Sequence, residues 1–186
     1  MLIFVPDSNF DLKALYEALD EKRQAENLTW SAVARQVARD HKEAHAVAAT
    51  TMTRLKDKRV GEGDGILQML LWLGRAPESF LPGFIGADTE HFRLPMPAAG
   101  ESLRWDTKAI YAALNIKREQ RGMTWKAVAL EIGGCTAGML THLSEGGRTG
   151  LPHVMRLVRW LDRPAAVFTV CAPDTVIFGP GGVRSR

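Results

Sequence analysis

The sequence predicts an all-α protein: two related small helical bundles in tandem, joined by a Pro/Gly-containing linker. Three observations carry this. The chain repeats itself, apolar residues recur at helical spacing within each repeat, and a Pro/Gly-rich stretch separates the repeats. Aligning 11–37 with 106–132, a constant offset of 95, makes 13 of 27 positions identical. Among them are Lys13/Lys108, Tyr16/Tyr111, Lys22/Lys117, Arg23/Arg118 and Thr29-Trp30/Thr124-Trp125. Similarity resumes at an offset of 88, with Arg54-Leu55 over His142-Leu143 and Trp72-Leu73 over Trp160-Leu161. The first copy therefore carries seven extra residues between Val37 and Arg54. Two copies are too few for a solenoid.

The first helix of copy one is read from Leu12, Leu15, Tyr16 and Leu19 at i, i+3, i+4, i+7. Asp11 suits its first turn by charge. Trp30, Val33, Ala34 and Val37 give the second helix, with Thr29 as its cap. Residues 38–46 contain no Gly or Pro, which predicts additional helix or an inserted turn there. Ala48–Leu55 fits a third helix, and Ile66, Met69, Leu70 and Leu73 a fourth, capped by Asp64. Copy two repeats the pattern with Asp106 at the first helix, Thr124 capping the second, Thr136–Leu143 as the third, and Val154, Leu157, Val158 and Leu161 on the fourth. Pro77 and Pro164 suit the start of a fifth turn. Trp30, Trp72, Trp125 and Trp160 are expected as core anchors.

The linker is clearest at LPMPAAG, within Pro77–Gly100. Boundaries follow at 1–83 for the first domain with its N-terminal arm, 84–103 for the linker, 104–171 for the second domain and 172–186 for a tail. The stretch Pro77–Gly100 holds Phe80, Leu81, Phe84, Ile85, Phe92, Leu94 and Met96, too many apolar residues to leave in water, so the copies are expected to be fixed against one another. Leu2–Val5 and Val176–Phe178 are short β-prone runs able to pair.

Composition bounds the function. Hydrophobic residues are 46% and charged residues 24%, an ordinary globular mix. No apolar run approaches the ~20 residues of a membrane span, and the N-terminus lacks the pattern of a secretory signal. Two distant cysteines point to a reducing, cytoplasmic setting. Net charge is +3, but residues 1–95 carry 12 Lys+Arg against 14 Asp+Glu while 96–186 carry 12 against 7, so the second half favours an anionic partner.

The stretch TWKAVALEIGGCTAGMLTHLSEG resembles the Cro/cI-type (lambda-repressor-like) helix-turn-helix DNA-binding family. The resemblance rests on Thr124, Ala129, the turn glycines Gly133-Gly134, Leu140, Leu143 and Gly146. TWSAVARQV with TTMTRLKDKRV and the helix after it resembles the family too, with Ala34, Met52 and Leu55 in the same roles. The family resemblance implies a third helix entering the major groove of double-stranded DNA, its first residues reaching base edges. Carried over by position, the base-contact candidates are Ala49, Thr50, Thr53 and Arg54 in copy one, and Ala137, Gly138, Thr141 and His142 in copy two. Phosphate-contact candidates are Ser31, Lys56, Lys58 and Arg59, then Lys126 and Arg148. Copy one departs from the pattern by lacking the turn glycine, and copy two by a third helix nearly bare of long polar side chains.

The resulting expectation is a sequence-specific, nucleoid-associated transcriptional regulator acting as an intramolecular pseudo-dimer, with double-stranded DNA as partner and a homodimer or a protein partner as further options. The rival is a protein-interaction adaptor that keeps the fold without specific DNA binding. No nucleophile–base–orienter set and no cofactor motif is present, so no enzyme, cofactor, metal or membrane role is expected. His41 and His45 are spaced like half a zinc site, but without further ligands a solvated helix extension is the better reading. GEGDG at 61–65 lacks the Lys-Ser/Thr of a phosphate loop and reads as a turn into the fourth helix. Cys135 precedes a helix N-terminus, a position that lowers thiol pKa, although a packed thiol is favoured over a redox switch.

Overall fold

A computed structural model describes residues 10–38, 47–57, 63–83 and 90–173. It is mostly helical with one small sheet. Copy one holds α1 (Leu12–Ala25), α2 (Trp30–Val37), α3 (Ala49–Thr53) and α4 (Gly63–Leu73). Then come β1 (Glu101–Trp105) and copy two: α5 (Thr107–Gln120), α6 (Trp125–Ile132), α7 (Ala137–His142), α8 (Leu151–Leu161) and β2 (Thr169–Pro173). Matched helices agree in length: 14 residues for α1 and α5, 8 for α2 and α6, 11 for α4 and α8.

Local chemistry places the helix starts. Asp11 and Asp106 are N-caps, accepting from the N–H groups of Ala14 and Ala109 at 2.9 Å. Thr29 and Thr124 accept from Ala32 and Ala127 at 3.2 Å. Each such oxygen satisfies a donor that the helix itself leaves unpaired. The turns after α4 and α8 are 3-10 turns, Pro77–Phe80 and Ala165–Phe168, the latter capped by Pro164. Each closes its copy by one equivalent hydrogen bond, Asp11 N–H to Phe80 O and Asp106 N–H to Phe168 O, both 2.9 Å.

Leu15, Leu19, Met52, Leu55, Ile66 and Leu70 fill copy one, and Ile110, Leu114, Leu140, Leu143, Val154 and Val158 fill copy two. These residues belong to one continuous apolar cluster spanning both copies. The repeated helices α4 and α8 pack on each other, and α4 also packs on β1. Contact between equivalent elements is how an isologous dimer interface is built, here within a single chain.

Polar contacts fix the joint. Gln68 Nε2 donates to Leu103 O at 2.9 Å, and the Gly63 N–H to Thr149 O at 3.1 Å. Buried Glu78 accepts from the Ala165 N–H through Oε1 at 2.6 Å. Gly63 is required by close approach: a Cβ there would lie 2.5 Å from Thr149 O and 2.7 Å from Trp105 Cδ1.

Several expectations are corrected. The four tryptophans are half-buried, because each lies at the rim with a cation against its ring. Trp105, which no helical pattern marked, is the buried one. Asp64 does not cap α4: it lies inside the first turn, and its Oδ1 accepts from the Trp105 N–H at 3.2 Å. The motif at 61–65 is not wholly a turn, since α4 begins at Gly63. The linker and tail as drawn each lose residues to a strand, because Glu101–Trp105 pairs antiparallel with Thr169–Pro173, Leu103 opposite Cys171. Leu103 and Trp105 are buried beneath this ladder, while Met96 stands 75% exposed. Helix α2 ends at Val37 with Ala38 as C-cap, so the predicted extra helix does not simply prolong it. The remainder of that insertion, with His41 and His45, and the runs Leu2–Val5 and Val176–Phe178, lie outside the described residues.

Candidate nucleic-acid interface

Each copy holds its third helix the same way. Helix α2 packs on α3, and α6 on α7. Met52 and Leu55 anchor α3 and the following 3-10 turn Leu55–Asp57; Leu140 and Leu143 anchor α7 and the turn Leu143–Glu145. With those side chains inward, the intervening positions face solvent.

In copy one Thr50 and Arg54 are exposed, and Ala49 and Thr53 half-exposed. Thr53 Oγ1 donates back to Thr50 O at 3.3 Å, so the exposed polar side chains here are Thr50 and Thr51 on α3 and Arg54 at its C-cap. Lys56 is exposed, its Nζ 5.8 Å from the centre of the Tyr16 ring. Ser31 is exposed at the start of α2; Lys58 and Arg59 lie outside the described residues.

In copy two Gly138, Thr141 and His142 are exposed and Ala137 half-exposed. Thr141 Oγ1 donates to Gly138 O at 3.1 Å, and His142 Nδ1 lies 3.0 Å from Glu145 Oε2. Lys126 and Arg148 are exposed. Thr136 caps α7 by accepting from the Met139 N–H at 3.2 Å. The turn into α7 uses Gly133 at φ +74° and Gly134 at φ +65°. A Cβ on Gly134 would also lie 2.6 Å from Arg156 Nη1, the end of a flexible side chain that can move aside, so the positive φ is what calls for glycine there.

Position by position, the surfaces diverge. Thr50, Arg54, Lys56, Lys58 and Arg59 are matched by Gly138, His142, Ser144, Gly146 and Gly147. At these positions the first third-helix-and-loop carries four cations, Arg54, Lys56, Lys58 and Arg59, and the second carries only His142, with Arg148 following at the place of Val60. Copy two instead exposes Leu130 on α6, at 85%, and Met139 on α7, at 46%.

Two of the three duplicated cation pairs of the first helix, Lys22/Lys117 and Arg23/Arg118, are structural. Lys22 Nζ donates to Trp72 O at 2.5 Å, and Lys117 Nζ donates to Trp160 O. Each satisfies a free carbonyl at the end of its fourth helix while lying over that tryptophan ring. Arg23 and Arg118 donate through Nη1 to Leu28 O and Met123 O, both at 2.9 Å, holding the turn before the second helix. Their guanidinium groups lie over Trp30 and Trp125, which stack on Tyr16 and Tyr111 at 5.6 and 5.3 Å.

Burial pushes the Cys135 thiol above its ordinary pKa despite the nearby Arg156, opposite to the lowering a helix N-terminus would give. Its Sγ lies 3.7 Å from Ala129 O, the position of a packed thiol. Burial lowers the His153 pKa on α8, and neither ring nitrogen has a hydrogen-bond partner. Among the described residues no helix is long and apolar enough to cross a membrane.

Sequence reasoning left one cation without a role that the structure gives a place. The Lys108 stem lies on Gly146, in the loop after α7: a Cβ on that glycine would be 2.9 Å from Lys108 Cε. The signal available in sequence was the loss of the acid that follows Lys13, since Ala112 stands where copy one has Glu17.

Comparison with protein-family models, characterised proteins and solved structures found no match for this chain.

Proposed function

We propose that the protein is a sequence-specific, double-stranded-DNA-binding regulator, two helix-turn-helix units of Cro/cI type acting as an intramolecular pseudo-dimer. One observation carries the reading. In copy one a short helix is held by Met52 and Leu55 so that Thr50 and Arg54 project to solvent, followed at once by exposed Lys56. A threonine and an arginine can bond base edges, and a lysine beyond them suits phosphate. The packing of α4 on α8 supports the pseudo-dimer, because it does within one chain what a dimer interface does between two. Diverged third helices fit an asymmetric DNA site.

The test is a salt series of affinity for random and then selected duplexes. Phosphate contacts make log affinity fall linearly with log salt, and base contacts appear as a gap between the two DNAs. A flat series with no gap would overturn the proposal.

A second reading, a protein-interaction adaptor, is favoured by exposed Leu130 and Met139 on the copy-two helices. It gains if DNA affinity is absent while substitution of those two residues abolishes binding to a purified partner protein.

A further inference from the structure

We infer that Lys108 supplies in copy two the phosphate contact that loop lysines supply in copy one. The inference rests on the DNA-binding reading. The loop after α7 has lost three cations of its counterpart, since Ser144, Gly146 and Gly147 stand where copy one has Lys56, Lys58 and Arg59, and it carries one of its own, Arg148, at the place of Val60. The bare Cα of Gly146, held at φ +78°, is the surface on which the Lys108 stem lies, with Cε, Cγ and Cδ at 2.9, 3.6 and 3.7 Å from a Cβ built there. Any side chain at 146 would displace that lysine. The neighbouring residue fixes the approach, since buried Thr107 donates through Oγ1 to Gly147 O at 3.2 Å. The start of α5 is thereby docked on this loop, and the exposed Lys108 ammonium is delivered to it.

The equivalent lysine in copy one is differently disposed. Lys13 Nζ lies 3.7 Å from Glu17 Oε1, one turn on along α1. Ala112 removes that acid from α5, so no intrahelical ion pair draws Lys108 along its own helix. Loss of three loop cations, a glycine floor and loss of the helical acid all differ between the copies in the same sense. A long, flexible cation lying on a loop beside the third helix suits a phosphate, which it holds as a point charge without reading sequence.

The experiment measures binding of the full-length protein to a selected duplex and to a scrambled one over a salt series. Lys108→Met keeps the stem on Gly146 and removes the charge; Lys108→Gln is a second neutral variant. Both are expected to bind either duplex several-fold more weakly at low salt, with a salt slope flatter by about one unit. Lys108→Arg should restore affinity and slope, Lys13→Met should leave both unchanged, and melting temperatures should not move. An unchanged slope in both neutral variants overturns this inference alone. So does a loss that Lys108→Arg fails to restore. Absence of DNA binding by the unaltered protein overturns it together with the proposed function.

Discussion

Copies one and two share an interior and differ on the surface that the third helix presents. Asp and Thr caps, the Tyr–Trp–Arg stacks and the lysine on the last carbonyls of the fourth helix recur at matching positions. Around the third helix Thr53 and Thr141 recur with the same bond, but Arg54 aligns with His142, Lys56 with Ser144 and Thr50 with Gly138. Packing inside a small bundle tolerates little change of volume, whereas an outward position is free to change with what it meets. The repeats therefore mark the identical capping and packing residues as scaffold and the divergent surface as the place to look for function, with Lys13/Lys108 identical in type and divergent in surroundings.

The largest expected effect tests the shared scaffold. Leu19 and Leu114 occupy matching, fully buried positions. Leu19→Ala and Leu114→Ala should each cost about 2–5 kcal/mol. With one core running through both copies, each variant should lower a single common transition in denaturant unfolding. Two separated transitions, only one of them shifted, would break the picture of a joined pair.

The joint between the copies comes next. Gly63→Ala places a methyl group 2.5 Å from Thr149 O and against the Trp105 ring, and overpacking of this kind costs roughly 1–3 kcal/mol. Gly65, two positions on, has only Val47 Cγ2 near a Cβ, at 3.7 Å. Gly65→Ala should therefore leave the melting temperature unchanged or raise it slightly. Equal destabilisation by the two would show that Gly63 matters for something other than the contact.

The functional contrast is sharpened by Arg54 and His142. Under the proposed function, Arg54→Ala should cost about 1–3 kcal/mol on a selected duplex and relax preference at one base position. His142→Ala should cost much less, since its ring is paired with Glu145. Lys56→Ala should weaken all duplexes alike and flatten the salt slope by about one unit. Equal losses for Arg54→Ala on selected and scrambled DNA would make it a phosphate contact; a larger loss for His142→Ala would move base reading to copy two.

The smallest effect concerns Glu78, whose counterpart in copy two is Ala166. Burial raises its pKa above the ordinary 4.5, partly offset by the Ala165 N–H, and its Oε2 is buried without a partner. A raised folded-state pKa means that folding takes up a proton. The stabilisation is full below the unfolded value of 4.5 and is lost as pH rises through the folded value. Glu78→Gln, neutral throughout, should be more stable than the unaltered protein at pH 8, by about 1 kcal/mol, and lose that advantage toward pH 4.5. His153 has the opposite sign, because burial lowers its pKa and stability falls as pH drops below 6.5. It is common to both proteins, so their difference isolates Glu78. A gap that does not vary with pH would remove Glu78 as its source.

What could be read without the structure had local causes. A threonine one residue before an apolar-periodic run caps the helix because the donors it satisfies lie three residues on. Helix faces follow from the 3.6-residue period, so Leu15, Leu19, Ile110 and Leu114 could be placed inside directly. Duplication extended those placements from one copy to the other, and the resemblance named the positions that face outward on the third helix. It could not tell whether a half-apolar side chain lies in the core or at its rim. The tryptophans were misplaced for that reason, their second faces being met by cations from another helix.

Tertiary structure alone decided the rest, because the groups concerned are far apart along the chain and no periodicity links them. The strand at Glu101–Trp105 is defined only by a partner more than sixty residues away. Asp64 resembles a cap until Trp105 presents its N–H, and Gly63 resembles a turn residue until Thr149 and Trp105 approach it. Lys108 resembles any surface lysine of an amphipathic helix until Gly146 lies beneath its stem. Helix positions, the two threonine caps and the inward faces were legible along the chain, since each depends on neighbours within one or two turns. Which polar residues join the copies, and which cation reaches the loop after α7, was decided only when packing brought distant backbone into contact.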